Sequence, residues 1–231
     1  MTEISAAGIF AVRLGDDVVF LDVATDTYSC VLSETDDARG SGPFDSLTPD
    51  QIAGLVTEGL LTDAADLPGQ DAVAILDRRR WCDLPAPSRR RPLGIGDWLT
   101  FARAQGSAAR LLRGDSLAPA LAAAERLAAA PSRQAGMSGN SSTSIAKIAS
   151  AVARFDAMAI WLPQRAACVA HALALMHFLW LEGIATDWIF GVHLYPFRAH
   201  CWLAAGEHVV GDASHRVLAF APIMAVSSRR R

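Results

Sequence analysis

Cysteine is scarce in this chain. Its four cysteines, Cys30, Cys82, Cys168 and Cys201, form no CxxC pair and no dense framework, which argues against a disulfide scaffold and for a reduced, cytoplasmic protein. No HExxH motif occurs either. Without it or a paired CxxC, a zinc site built from Cys168, His171 and His200 has little support, and no metal or cofactor is expected. The first residues, MTEISAAGIF, lack a basic stretch followed by an apolar one, so no signal peptide is expected. Long apolar runs are also missing. The most apolar segment, 168–181, is interrupted by His171 and His177 and stops at Glu182. It is too short to span a bilayer and reads as a buried core helix, so no membrane partner is expected. Charged residues make up only 19% of the chain against 52% hydrophobic ones, a balance that favours a packed globular protein over a disordered one.

The net charge of -3 conceals an asymmetry. Residues 1–77 carry 15 acids and 2 bases, a net of -13, and residues 78–231 carry 9 acids and 19 bases, a net of +10. A change of sign at one point suggests two units with different partners. Between them, 77–96 reads DRRRWCDLPAPSRRRPLGIG, an arginine- and proline-rich connection expected to be exposed. One short basic segment with proline and a single tryptophan is weak support for nucleic-acid binding, and none is expected.

The front unit, 1–77, opens with three short strands over 8–32, separated by Gly15-Asp16-Asp17 and Thr25-Asp26-Thr27. A helix follows at LTPDQIAGLVTEGLL. Thr48 is its N-cap, Pro49 its first residue and Gln51 the partner in a capping box. Ile52, Leu55, Val56 and Leu60 fall on one face, and Gly59 ends it. The rear unit, 97–231, begins with a helix capped by Asp97 and packed through Leu99, Ala102, Leu111 and Leu112. An alanine-rich helix follows, then one starting at Ser142–Ser144 and running to Trp161, with Pro163 beyond it. The next runs from about Ala167 to Glu182, ended by Gly183. TDWIFGV, AHCWLAA and HVVGD then read as strands. Helices followed by an antiparallel sheet make an α+β unit.

Three residues in this unit carry the elements of nucleophilic catalysis. Cys168 lies in the first turn of its helix, where the helix dipole and unpaired N–H groups favour a thiolate. A cysteine nucleophile needs a base, and the base needs an orienting group. If Ala204 pairs with His208 across Ala205-Gly206-Glu207, His200 faces Asp212 directly, with Cβ atoms about 5 Å apart. Asp212 would then hold one imidazole nitrogen while the other faces Cys168. A slip of one residue would put the two on opposite faces. Taken singly, each residue has a plain structural reading: free cysteine is commonly buried in cores, and a histidine near a strand start is commonly a hydrogen-bonded structural residue. The ordered set of three is what points to chemistry. His171, one turn after Cys168, is expected to pack or to support the site. His177, His193 and His215 are expected to be structural. Gln164 is a candidate oxyanion donor or a solvated loop residue.

The block CVAHALAL from Cys168, GIAT from Gly183, GVHLYPFRAHCW from Gly191 to Trp202, and VGD ending at Asp212 resembles the leader peptidases of lasso-peptide biosynthesis, which are transglutaminase-like (papain-like) cysteine proteases. The resemblance covers roughly the last 70–90 residues and implies a Cys168, His200, Asp212 triad. Two departures stand out: Cys201 where a small residue is usual, and Ala170-His171 in place of Arg-Ser. The front unit is similar to the PqqD-like leader-recognition modules, through DVVFLDVATDTY at 17–28 and EGLL at 58–61. That resemblance implies a winged-helix module of three strands plus helices. A leader peptide would add as a strand beside Tyr28, Ser29, Cys30, Val31 and Leu32, with Ile52, Leu55 and Val56 as an apolar wall. The acidic charge of the unit would suit a basic leader. Together the two resemblances imply a fused lasso-peptide B protein. Its partners would be the precursor's leader region and an asparagine-synthetase-like macrolactam cyclase, and tethering would raise the local concentration of substrate. Two alternatives stay open: a non-catalytic leader-binding scaffold, and another transglutaminase-core amidase or acyltransferase acting on a side-chain amide.

Overall fold

The structure, a computed structural model, describes residues 8–33, 44, 46–61, 81–87, 91–114, 116–129, 142–161 and 168–226. It opens with an antiparallel sheet of β1 (Ile9–Leu14), β2 (Asp17–Asp22) and β3 (Thr27–Val31), in the order β1-β2-β3. Helix α1 (Pro49–Thr57) follows. Thr48 and Gln51 form the expected capping box, and Gly59 adopts φ +75° just beyond the helix. The hydrophobic run in β2 alternates only in part because both of its faces are covered. Val18 and Phe20 pack with Leu47, Leu55 and Leu61 on the α1 side. Val19 and Leu21 instead join the main core of the chain, together with Phe10 and Val23. The front sheet is thus built into the rear unit's core.

Helix α1 bears on one expected residue. Leu55 is only 4% exposed and belongs to the cluster under the sheet. Its side chain is taken up under the sheet. Ile52 packs at the margin of the same cluster, and Val56 is exposed. The further helices expected of the front unit lie outside the described residues.

The segment expected to be an exposed connection is partly structural. Trp81 is buried edge-on against Trp202, with ring centroids 6.2 Å apart. The next two residues form β4 (Cys82–Asp83), a parallel edge strand beside the rear sheet. Its apolar tryptophan outweighs the polar, arginine-rich context that suggested a solvated linker.

Helix α2 (Ile95–Leu111) starts earlier than expected. Gly94 is the N-cap, and Asp97 is the third helical residue, whose carboxylate accepts the Gly94 N–H. This displaces the buried face. Asp97, Phe101, Ala104 and Ala108 point inward at spacings of four, three and four residues, while Leu99 is exposed. Ala102 is exposed as well, and Leu111 and Leu112 pack at the core's margin. Helices α3 (Ala118–Ala129) and α4 (Ser142–Ala159) lead to α5 (Cys168–Leu181). In α5 residues 172–176, 178 and 179 are all buried, as expected of a helix apolar on every side. Gly183, at φ +74°, ends it. Strands β5 (Asp187–His193), β6 (Arg198–Ala205) and β7 (His208–Val210), helix α6 (Ser214–Val217) and strand β8 (Ala221–Val226) complete the chain. Helix α6 and β8 add to the elements read from sequence.

The five-stranded sheet has the order β4-β7-β6-β5-β8 and is antiparallel except at β4/β7. The β6/β7 register departs from expectation. Ala205 pairs with His208 and Leu203 with Val210, so the connecting turn is Gly206-Glu207, one residue shorter than expected. Short, Gly-containing two-residue hairpin turns fit the strands' right-handed twist. In this register His200 no longer faces Asp212 along paired strands.

Candidate active site

The sheet and α5 bring Cys168, His200 and Asp212 together despite the shifted register. Strand β7 stops at Val210, and Gly211 takes φ +76°. A Cβ there would stand 2.3 Å from Leu175 Cδ2 on α5, and the positive φ itself favours glycine at this turn. The turn carries Asp212 out of the strand and back toward β6, where Oδ2 lies 2.6 Å from His200 Nε2. The other carboxylate oxygen, Oδ1, accepts the Ala213 N–H at 2.8 Å and pairs with Arg216 at 3.2 Å. Asp83 of β4 in turn accepts the Ser214 N–H at 2.6 Å and so holds the start of α6. Every acceptor of Asp212 that faces the site is occupied, and its side chain is 11% exposed. Burial pushes its pKa upward. Hydrogen bonds from His200 and Ala213 and the charge of Arg216 outweigh this, and the group sits below its ordinary value.

His200 rests on two aromatic rings. Trp202 lies 6.2 Å away at 25° and Phe220 lies 5.2 Å away. Both approach closely because Gly191, opposite His200 in the β5/β6 register, has no side chain: a Cβ there would meet Trp202 at 2.8 Å and Phe220 at 3.0 Å. With Nε2 engaged by Asp212, Nδ1 is the nitrogen left for the thiol. The imidazole pKa is raised to about 9, first by Asp212 and then by Cys168, against the effect of burial.

Cys168 is the first residue of α5. Its thiol is held down to about 4. The largest cause is a hydrogen bond from the Cys201 thiol; His200 comes next, and the Cys201 backbone N–H adds to them against burial. The start of a helix also favours a thiolate, because its N–H groups lack intrahelical acceptors. Cys201 moves the other way. It is buried, and its pKa is pushed well up by its bond to Cys168 and then by burial. One thiol is therefore a thiolate and its neighbour a neutral donor. Between about pH 4 and about 9, Cys168 and His200 form a thiolate–imidazolium pair.

A family model, that of the transglutaminase-like superfamily, matches residues 108–225, just over half of the chain. The chain belongs to the transglutaminase-like superfamily. No curated protein and no solved structure matches it. This superfamily is typically a cysteine peptidase or acyltransferase fold, and Cys168, His200 and Asp212 all fall inside the matched residues. An arrangement of thiolate, imidazolium and hydrogen-bonded carboxylate can carry out acyl transfer through a thioester.

The remaining expected residues fall as follows. Gln164 lies outside the described residues. His171 packs edge-on against Phe155 at 5.5 Å. Its partly buried position one turn beyond Cys168 supports the helix face. His177 Nε2 is buried without a hydrogen-bond partner among the described residues, and burial lowers its pKa. His193 Nδ1 lies 3.1 Å from Pro196 O. Among the described residues, no group of three or more His, Cys, Asp or Glu side chains is placed to hold a metal ion. None is a helix long and apolar enough to cross a membrane.

Sequence reasoning missed Phe220, Arg216 and Asp83, and treated Cys201 as a substitution beside His200. Arg216 had a legible signal, since it stands four residues after Asp212 on a turn of helix. Asp83 and Phe220 had none, because they reach the site only through sheet pairing. The Tyr28–Leu32 segment forms the outer edge of the front sheet, with Ser29 and Val31 only partly exposed and Cys30 and Leu32 exposed.

Proposed function

We propose that this protein is a cysteine peptidase that removes the leader from a ribosomally made lasso-peptide precursor. The observation that carries the reading is the contact of His200 Nε2 with Asp212 at 2.6 Å, with the same imidazole hydrogen-bonded to the Cys168 thiol. In the reaction, Cys168 Sγ attacks the carbonyl carbon at the leader–core junction. The oxyanion is stabilised by N–H groups at the start of α5. His200 gives its proton to the departing core amine, and the C–N bond breaks to leave a thioester on the leader. His200 then takes a proton from water, which attacks the thioester and frees the leader carboxylate and Cys168.

The three-stranded antiparallel sheet followed by α1 supports a PqqD-like recognition role for the front unit. The leader adds along β3, against backbone groups of Tyr28, Ser29, Cys30, Val31 and Leu32, with Ile52 and Val56 beside it. The freed core passes to an asparagine-synthetase-like cyclase that closes the macrolactam. The test is cleavage of a lasso-peptide precursor by Cys168→Ala and His200→Ala variants. Full retained cleavage by either overturns the mechanism. A second reading is favoured by superfamily membership, which includes acyltransferases. There the thioester forms on a side-chain amide. The product's mass separates the two, since leader removal splits the chain while deamidation adds about 1 Da to it.

A further inference from the structure

Beside the shared core, the β5/β6 hairpin also reaches from the rear unit to the front sheet. The turn between β5 and β6 carries Tyr195 and Phe197. The Tyr195 hydroxyl donates to Asp17 at the start of β2, and the Phe197 ring lies 5.4 Å from Tyr28 on β3, tilted by 57°. Tyr28 pairs across the sheet with Leu21, on the face built into the main core, so its position relative to the rear unit is held by packing. Phe197 stands three residues before His200 on the same chain segment, roughly 10 Å at strand spacing. Between them Arg198 lies over Phe220, the ring that supports His200.

This corner is apolar and open. Phe197 is 47% exposed and Tyr195 73%, and no strand covers the outer edge of β3 among the described residues. Its ordinary fate in a finished fold is to be covered. The phenol of Tyr28 is pushed up to about 12, first by burial and then by Asp26, with the Cys168 thiolate adding to these. The hydroxyl is thus a permanent donor near the nucleophile.

We propose that Tyr28 and Phe197, packed on one another, together form one wall of a subsite that holds an apolar side chain of an extended peptide between the β3 edge and Cys168 and so determines which bond is cut. The occupant is a peptide because, among the described residues, no strand pairs with the outer edge of β3, and that edge continues into the aromatic pair. Charge gives the peptide's sign: over residues 8–33 the acids Asp16, Asp17, Asp22 and Asp26 outnumber the single base Arg13, which favours a basic sequence. Because the sheet is packed into the core, the step from bound strand to nucleophile has a fixed length and acts as a ruler. The inference rests on the peptidase reading of the site.

The experiment uses the full chain carrying Cys168→Ala, panned against a phage-displayed library of linear 16-residue random peptides. The expected result is enrichment of basic peptides with a large apolar residue at one recurring position. A fluorescein-labelled member should bind about 10-fold or more weakly when Tyr28→Ala and Phe197→Ala are added. Tyr28→Phe, which keeps the ring, should hold affinity within about threefold and so separates loss of the wall from loss of fold. No enrichment, or affinity within twofold for the alanine variants, overturns the proposal. Enriched peptides are then incubated with the unmodified protein and weighed by mass spectrometry. Binding that depends on the aromatic pair without any cut sinks the peptidase reading and leaves the subsite standing. Cutting that ignores the pair does the reverse.

Discussion

His200 Nε2 and Asp212 Oδ2 lie 2.6 Å apart although the strands leading to them are one residue out of the register that would set them face to face. The turn at Gly211 makes up the difference. Asp212 is thereby held by a turn and a short helix, and its environment, more than strand pairing, decides the state of the imidazole.

Asp212→Asn removes the charge that most raises His200. Peptide hydrolysis is expected to fall by on the order of 10²–10⁴. The imidazolium persists only below the His200 pKa, so the alkaline limb of the rate profile should move down from about 9 toward the ordinary 6.5. Rates measured between pH 4 and 10 check both, and an unmoved alkaline limb contradicts the assignment.

Cys201→Ala removes the main bond holding the Cys168 thiol down. The thiolate should then form at higher pH. Iodoacetamide labelling of Cys168, near its plateau at pH 5 in the wild-type protein, should slow several-fold at that pH and recover near pH 8. Mass spectrometry of the labelled peptide reads this directly. An unchanged pH profile would show that Cys201 only fills space.

Gly211→Ala meets both a φ of +76° and Leu175 at 2.3 Å. A loss of about 2 kcal/mol or more in unfolding free energy is expected, together with loss of hydrolysis as Asp212 leaves His200. Gly191→Ala should spare the backbone but push Trp202 and Phe220 off the imidazole. Its expected signature is a larger fall in kcat than in stability. Urea denaturation beside kinetics separates the two.

Arg154 bridges Asp97 at 2.6 Å and Glu182 at 2.9 Å and ties α4 to α2 and to the end of α5. Arg154→Ala is expected to cost about 3 kcal/mol, because Asp97, only 4% exposed, keeps just the exposed Arg91 as a charged partner among the described residues, beside the Gly94 N–H. Burial works to raise the Asp97 pKa, but Gly94, Arg91 and Arg154 outweigh it, and the value falls from 3.8 to about 2. The folded-state pKa is depressed, so this contribution is present above about pH 4 and lost as pH falls through about 2. The acid-denaturation midpoint of Arg154→Ala should therefore lie at higher pH than that of the wild-type protein, as followed by circular dichroism.

The local chemistry of the chain was legible where short-range forces decide. The capping box at Thr48 and Gln51, the hairpin turns of the front sheet and the apolar run after Cys168 each follow from a few adjacent residues. Asp97 misled because its side chain can cap a helix from the N-cap or from the third residue, and only the packing of Phe101 and Ala104 selects the latter. The segment around Trp81 misled for the same kind of reason: its partner Trp202 lies far along the chain.

The sequence by itself determined that a cysteine would open an apolar helix and that a histidine would follow on a strand, with an aspartate close after the next one, since periodicity and turn residues are local properties. Only the tertiary structure decided how the three meet. The β6/β7 register, the close approach of Gly191 and Gly211 to bulky neighbours, and the thiol of Cys201 against Cys168 all depend on contacts between distant segments. Such contacts are set by the shape of the packed core, which no window of the sequence contains.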